Sequence, residues 1–320
     1  MARRTRHLEM ARNPHIEKIS SAGFCLLTCM LIGLTQAEAQ VRGLYPLGIS
    51  ATNSGVTPEP GFSFSSYLAI YTRNKLKGPH GEITATGEQS VTMDLNTLGW
   101  VSKKEILGGA KFSMLASIPV ANNSLTNDLT GPISGGSGLA DSFYQPFILG
   151  WNKKRIAVRT TYGFLAPTGS YKLGANDNVG SGYWTHIVSS GQTFFLTKNK
   201  ATTLSTFQMY EWHTTQKGTN IHPGQTMNLD YSLMQAIAIR DKIRLQFGLV
   251  GYNQWQTTDK TGPTITLEQS KAHYKANALG FATNLNLPAK VNVGFKYFQE
   301  FGNINTFQGY SVQAVAGIRF

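Results

Sequence analysis

The chain has 320 residues, a formal net charge of +12 and 33 glycines, yet only 14% of its residues are charged. Its two cysteines, Cys25 and Cys29, share one apolar run near the N-terminus, so the rest of the chain has no disulfide, thiol nucleophile or cysteine metal site. A positive charge of this size suits nucleic acid, but no Lys/Arg cluster with interleaved aromatics occurs, and no nucleic-acid partner is expected.

Residues 1–39 read as a secretory signal peptide. Arg3, Arg4, Arg6, Arg12 and Lys18 form a basic head, and Phe24 to Leu34 an apolar core. That core is too short for a helix that must cross a hydrocarbon layer with about 20 residues. Ala37-Glu38-Ala39 supplies a small-x-small cleavage pattern, which predicts cleavage before Gln40 and export. Thr28 before Cys29, and an apolar run continuing to Leu34, argue against lipidation. Removing five basic and three acidic residues from 29 and 17 leaves 24 and 14, a net charge of +10. Basic turns and a basic pore account for it.

Residues 40–61 carry Pro46, Pro58, Pro60 and several glycines and show no strand pattern. They are expected to form a flexible segment or a plug folded into a lumen. From residue 62 the chain alternates in segments of about ten residues, the signature of a membrane strand. Twelve such segments lie near 62–73, 89–101, 109–119, 142–151, 155–166, 182–196, 200–212, 227–239, 242–255, 273–286, 290–300 and 306–320. The count is even, as a single-chain barrel requires. No run of 18 apolar residues follows the signal.

The connections sort by parity. One set is short and basic: Ser102-Lys103-Lys104, Asn152-Lys153-Lys154, Lys198-Asn199-Lys200, Arg240-Asp241-Lys242 and Pro288-Ala289-Lys290. The other set is mostly long and rich in Gly, Asn, Thr and Pro: 74–88, 120–141, 167–181, 213–226 and 256–272. Short turns on one side and long loops on the other distinguish an outer-membrane barrel from a soluble sandwich. The expected fold is therefore all-β, a transmembrane antiparallel barrel of about twelve strands with short periplasmic turns and long extracellular loops. The last strand places Tyr310, Val312, Ala314, Ala316, Ile318 and Phe320 on one face. Its terminal Phe320 resembles the signal that the barrel-assembly machinery reads on bacterial outer-membrane barrels.

Strand parity predicts which side chains meet lipid. Ile243, Leu245, Phe247, Leu249 and Trp255 face out, whereas Arg244, Gln246, Gly248, Tyr252 and Gln254 face the lumen. Leu229, Tyr231, Leu233 and Ile237 point out, and Asp230, Ser232 and Met234 point in. Leu204, Tyr210 and Trp212 face lipid, with Ser205 and Glu211 inside. Trp151, Trp212 and Trp255 fall near strand ends, as an interfacial girdle demands. A charge against lipid costs ~2–4 kcal/mol at the midplane, so Lys296, Glu300, Arg244 and Arg159 are expected to look inward. Arg244, Gln246, Tyr252, Gln254, Lys296, Phe298, Glu300, Asp230, Met234 and Glu211 are the predicted pore-lining set. Pro146 removes a ladder donor and predicts a bulge near Gln145-Pro146. The faces of 182–196 stay unassigned.

Three ordered blocks carry a family resemblance. Gly138-Leu139-Ala140-Asp141, Gln145-Pro146 and Gly150-Trp151 form the first. Ala166-Pro167-Thr168-Gly169, Tyr171, Asn178-Val179-Gly180 and Gly182-Tyr183-Trp184-Thr185 form the second. Gly251-Tyr252, Gln254-Trp255-Gln256 and Thr258-Asp259 form the third. Together, over roughly residues 60–320, they resemble the outer-membrane transporter family labelled "meta-pathway of phenol degradation". The resemblance implies a barrel associated with uptake of hydrophobic or aromatic compounds.

The leading functional expectation is an outer-membrane channel for small hydrophobic or aromatic solutes, with lipid and the assembly machinery as partners and no cofactor. A general polar-solute porin and a structural or adhesion barrel are the alternatives. A hydrolase is a fourth reading, because His186 with Ser189 and Ser190 resembles the His/Ser pair of outer-membrane phospholipases. Parity opposes it: His186 and Ser189 lie on opposite faces, and His186 and Ser190 are separated by roughly 13 Å along a strand. A nucleophile and its base must approach to about 3 Å. His213 and His222 share a polar loop without metal-ligand spacing, so no metal is expected.

Overall fold

The computed structural model describes residues 42–320. The signal segment, both cysteines and the expected cleavage before Gln40 lie outside the described residues. The chain forms thirteen strands: β1 (Gly61–Lys77), β2 (Ile83–Ile106), β3 (Ala110–Asn127), β4 (Gly131–Leu139), β5 (Ser142–Asn152), β6 (Ile156–Ala166), β7 (Thr185–Phe195), β8 (Thr202–His213), β9 (Thr226–Arg240), β10 (Ile243–Gln256), β11 (Lys275–Leu287), β12 (Val291–Glu300) and β13 (Thr306–Arg319). Each strand pairs antiparallel with its neighbour, β13 pairs with β1, and β3 pairs with both β2 and β5. Twelve strands thus close a barrel, and β4 stands outside the ring, paired only to the far end of β3. Closure satisfies every edge, which a sheet in lipid requires.

The twelve barrel strands fall where the alternation predicts. Two expected loops do not. Residues 74–88 are largely strand, with Lys75 opposite Thr86 and Lys77 opposite Ile83. The expected loop 120–141 is the rest of β3 folded back on β4. Beyond the membrane a ladder no longer needs an apolar outer face, so the hydrophobic pattern stops before the pairing does. For the same reason β2 continues through Lys103 and Lys104, and its turn falls at 107–109, where Leu107, Gly108 and Gly109 all have positive φ. The other short turns lie at 153–155, 196–201, 241–242 and 288–290, against long loops at 167–184, 214–225 and 257–274. In the last loop, hydrogen bonds from Lys271 and His273 hold the Asp259 carboxyl below the ordinary carboxylate range.

The predicted bulge is present. Tyr144 pairs with Phe164 and Phe147 with Tyr162, so Gln145 and Pro146 together oppose Gly163. The faces of β7 are now defined: Thr185, Ile187, Ser189 and Thr193 are buried inside, while Val188 and Phe194 are exposed outside. Trp100 and Trp151 mark the periplasmic end of the wall, Trp212 and Trp255 the extracellular end.

One outward position sets a carboxylate in the apolar band. Asp94 pairs across β1 with Leu68 and across β3 with Val120, both exposed on the outer face. Its carboxylate accepts from Ser66 Oγ at 2.7 Å and Asn96 Nδ2 at 3.0 Å. A lipid-facing carboxylate is costly even with two donors. Asp94→Leu is therefore expected to stabilise the barrel by about 1–2 kcal/mol in a urea titration in liposomes. A destabilised variant would mean that this face is not against lipid.

Candidate functional site

The barrel interior is where the predicted polar residues converge. What they meet there is the N-terminal segment. Residues 42–60 run down the inside, from the extracellular ends of β12 and β13 to the periplasmic start of β1.

At the extracellular end Glu300, on β12, is buried. It accepts from Arg42 Nη1 at 2.7 Å, Arg73 Nε at 3.1 Å, Tyr252 OH at 2.9 Å, Asn303 Nδ2 at 3.2 Å and the Gly309 amide at 2.9 Å. Arg42 also reaches Thr306 Oγ1 at 2.9 Å and the carbonyl of Phe307. Nearby, Glu211 accepts from the Leu44 amide at 2.8 Å and from Asn228 Nδ2 at 2.6 Å. Gln254 completes that row by donating to Asn228 Oδ1 at 2.7 Å.

Midway down, residues 46–51 turn over a second charged pair of groups. Asp230 Oδ2 accepts from Tyr45 OH at 2.5 Å, and the Gly48 and Ser50 amides point to the same carboxylate. Lys296 Nζ donates to the Gly48 and Ile49 carbonyls at 2.9 and 2.7 Å and to Tyr67 OH at 3.2 Å. Gly48 has φ +83° and lies directly on the Phe298 ring, so the turn requires glycine both for its backbone and for its close approach. Met234 and Phe298 join Tyr45, Leu47, Ala51, Phe207 and Met209 in one apolar cluster, with Tyr45 stacked on Phe207 at 5.6 Å. Toward the periplasm Asn53 donates to Gln246 at 2.8 Å, Gly55 to Thr193 at 3.1 Å, and Thr57 exchanges bonds with Asn152.

Nine of the ten predicted residues are thus buried inside, engaged by the segment or by the side chains that hold it. Arg244 differs. It is exposed at the periplasmic end, where Nη2 donates to the Lys200 carbonyl at 2.9 Å. It borders a cleft of about 370 Å³ with Asn199, Arg240 and Lys242 at the barrel mouth. Its place in the outermost rung explains this: the turn at 241–242 gives its long side chain a route to water. Sequence reasoning missed Arg42 and Tyr45, which sit in an unpatterned stretch. It also missed Arg73, which shares strand parity with Tyr67, Ala69 and Tyr71 and was detectable from it.

The segment's hydrogen bonds go to β1, β5, β7–β10, β12 and β13. The opposite wall carries an apolar patch among its polar residues. Val91 and Met93 on β2, Leu115 on β3, Phe143 on β5 and Leu165 on β6 all face inward yet remain partly accessible. Ile49, at the tip of the turn, packs against both buried apolar clusters; Phe143 and Leu165 flank the first, Val91 and Met93 the second.

Above this wall the ordered Gly, Asp and Thr blocks meet. Asp141 accepts from the Gly169 amide at 3.0 Å, the Ser181 amide at 2.9 Å and Ser181 Oγ at 2.5 Å. Asn123 and Gly135 bind the carbonyls of Asn178 and Asn176. Loop 167–184 is thereby folded back on β3 and β4. Asp141→Ala removes the acceptor for three donors, at about 1–3 kcal/mol. The expected readout is selective protease cleavage within 167–184 while the barrel keeps its heat-modifiable gel mobility. Equal resistance of variant and parent would refute the role.

His186 faces outward, bonded to Tyr162 OH at 3.0 Å, while Ser189 is buried inside. Ser190 accepts from Gln192 instead. Among the described residues no group of three His, Cys, Asp or Glu side chains is arranged to hold a metal.

With this geometry defined, several solved structures resemble the chain. The COG4313 outer membrane channel from Pseudomonas putida F1 superposes with a TM-score of 0.67 at 12% identity, covering 85% of this chain and all of that one. The beta domain of the Bordetella autotransporter BrkA gives a TM-score of 0.50 at 11% identity, covering 82% of this chain and all of that one. At these identities the likeness concerns the fold, an outer-membrane β-barrel. No curated protein matches the sequence. A family model does match, over residues 73–315. That span runs from the end of β1 to β13, and the chain belongs to the family described as "Putative MetA-pathway of phenol degradation".

Proposed function

We propose that the protein is an outer-membrane channel that admits small hydrophobic or aromatic compounds. The observation that carries this reading is the division of the interior. One side is occupied by a segment that uses the polar wall, and the other offers Val91, Met93, Leu115, Phe143 and Leu165 as a partly accessible apolar surface. Ligand passages of this kind combine apolar walls with a few polar groups. A segment threaded through the lumen disfavours a wide aqueous pore, and so a general polar-solute porin. Family membership and the fold support the same reading. The exposed ring of Phe320, 65% accessible just after β13, supports recognition by the assembly machinery. Export with removal of residues 1–39 completes the route to the membrane.

Single-channel recording of the refolded chain in a planar bilayer tests it. Small steps blocked by benzyl alcohol but not by a sugar are expected. Large steps indifferent to both would establish a general porin instead.

A further inference from the structure

The charged groups inside the barrel are almost all answered. Glu300 lies between Arg42 and Arg73, and Lys111 faces Glu59 at 3.7 Å. Asp230 and Glu211 receive several donors each, and Lys296 spends its ammonium protons on two carbonyls and a hydroxyl. Arg159 on β6 is the exception. It shares the inward face with buried Ala157 and Thr161, yet among the described residues its guanidinium has no hydrogen bond and no ion pair. Its five N–H donors, in a planar fork, receive no acceptor from the described residues.

Arg159 is itself partly accessible, and the interior segment passes beside it, with Thr57 against Gly150 and Ser54 against Gly191. Its neighbours across both strands are glycines, Gly150 on β5 and Gly191 on β7. One strand beyond Gly191 comes Phe207, stacked on Tyr45. One rung toward the extracellular side, Thr161 faces Ser189, whose Oγ is buried without a partner. Further up the same face of β6 lies Leu165, opposite Phe143 on β5, both partly accessible. A planar cation, a spare hydroxyl and an apolar wall with aromatic rings therefore follow one another along one face of the interior, with the wall roughly 20 Å up β6 from the cation's Cα.

We infer that Arg159 is a binding site for the carboxylate of a small aromatic or aliphatic acid whose apolar body points up the same face toward the Phe143–Leu165 wall. The guanidinium fork matches a carboxylate through two parallel N–H···O bonds. Ser189 Oγ, within the neighbouring rung, is placed to donate a third. Few other groups inside a barrel would select an anion without also binding the segment. The inference rests on the proposed apolar passage and narrows its cargo from hydrophobic compounds in general to amphipathic monoanions.

The test uses the full refolded chain in a planar bilayer with three probes: benzoate, benzyl alcohol and acetate. Benzoate is expected to block at a concentration about tenfold lower than benzyl alcohol, the factor given by one added charge-assisted contact. Acetate, which lacks the apolar body, is expected not to block. In Arg159→Gln the benzoate preference should vanish while benzyl alcohol is unaffected. The urea midpoint should not fall, because an unpaired charge is being removed. Arg159→Lys, which keeps the charge but not the fork, should retain a reduced preference, and it serves if the glutamine variant fails to assemble. Equal block by benzoate and benzyl alcohol in the parent, or a preference that survives in both variants, overturns the carboxylate site and leaves the apolar passage standing. Absence of block by either aromatic probe overturns the passage itself.

Discussion

Glu300→Ala is expected to destabilise the barrel by about 3–5 kcal/mol, the cost of removing one partner from a buried ion cluster. The magnitude follows from what is left behind. Arg73 is buried and Arg42 mostly so, with Glu300 as their carboxylate, and Tyr252, Asn303 and the Gly309 amide lose the same acceptor. Two like charges would then share a site out of water. Because Arg42 belongs to the interior segment, the variant should also release its upper end, and the segment should become accessible to protease from outside. Glu300→Gln keeps an acceptor oxygen and the shape of the side chain, so it is expected to lose less. Urea titrations followed by tryptophan fluorescence give both numbers. A loss below about 1 kcal/mol for alanine, the range of exposed ion pairs, would show that water already answers the two arginines.

The second large effect concerns passage. Deleting residues 42–57 should raise single-channel conductance several-fold and abolish the discrimination between aromatic solutes and sugars. The ring of twelve strands is closed by β1–β13 pairing and by β2–β3 pairing, neither of which uses the segment, so the barrel should still assemble. What changes is the lumen. Asp230, Lys296 and Glu211 lose the backbone groups they hold and become a hydrated, charged wall. A twelve-stranded barrel is wide enough for water once nothing fills it. Unchanged conductance would mean that loop 167–184, rather than the segment, limits flow. A milder variant addresses the same point. Gly55 lies against the Ala157 carbonyl and the Thr193 amide, so Gly55→Leu should push the segment off the wall without removing it.

The sequence by itself determined the barrel. In β12 and β13 the period of two separates Val293, Phe295 and Ile318 from Lys296, Ser311 and Gln313, because lipid outside and a polar interior impose opposite chemistry on successive residues. The same rule placed Glu211, Asp230, Gln246, Tyr252, Gln254, Phe298 and Glu300 inside, and Pro146 marked its bulge. The family blocks at 138–141, 166–169 and 178–185 were visible too, but not the reason they occur together, which is one loop clasped around Asp141. The pattern failed where its physical cause is missing. Past the membrane no lipid enforces alternation, so β4 and the ends of β1, β2 and β3 read as loop. Within residues 42–60 no ladder exists at all, and neither Arg42 nor Tyr45 carries a signal of the carboxylate it meets. Only the tertiary structure decided that Glu300 and Asp230 spend their charge on the chain's own N-terminal segment, that Arg244 escapes to the rim, and that Arg159 stays unanswered. Facing is a property of a strand and can be read locally. Partnership inside a closed barrel depends on which residues the closure brings within 3 Å of one another, and no local rule contains that.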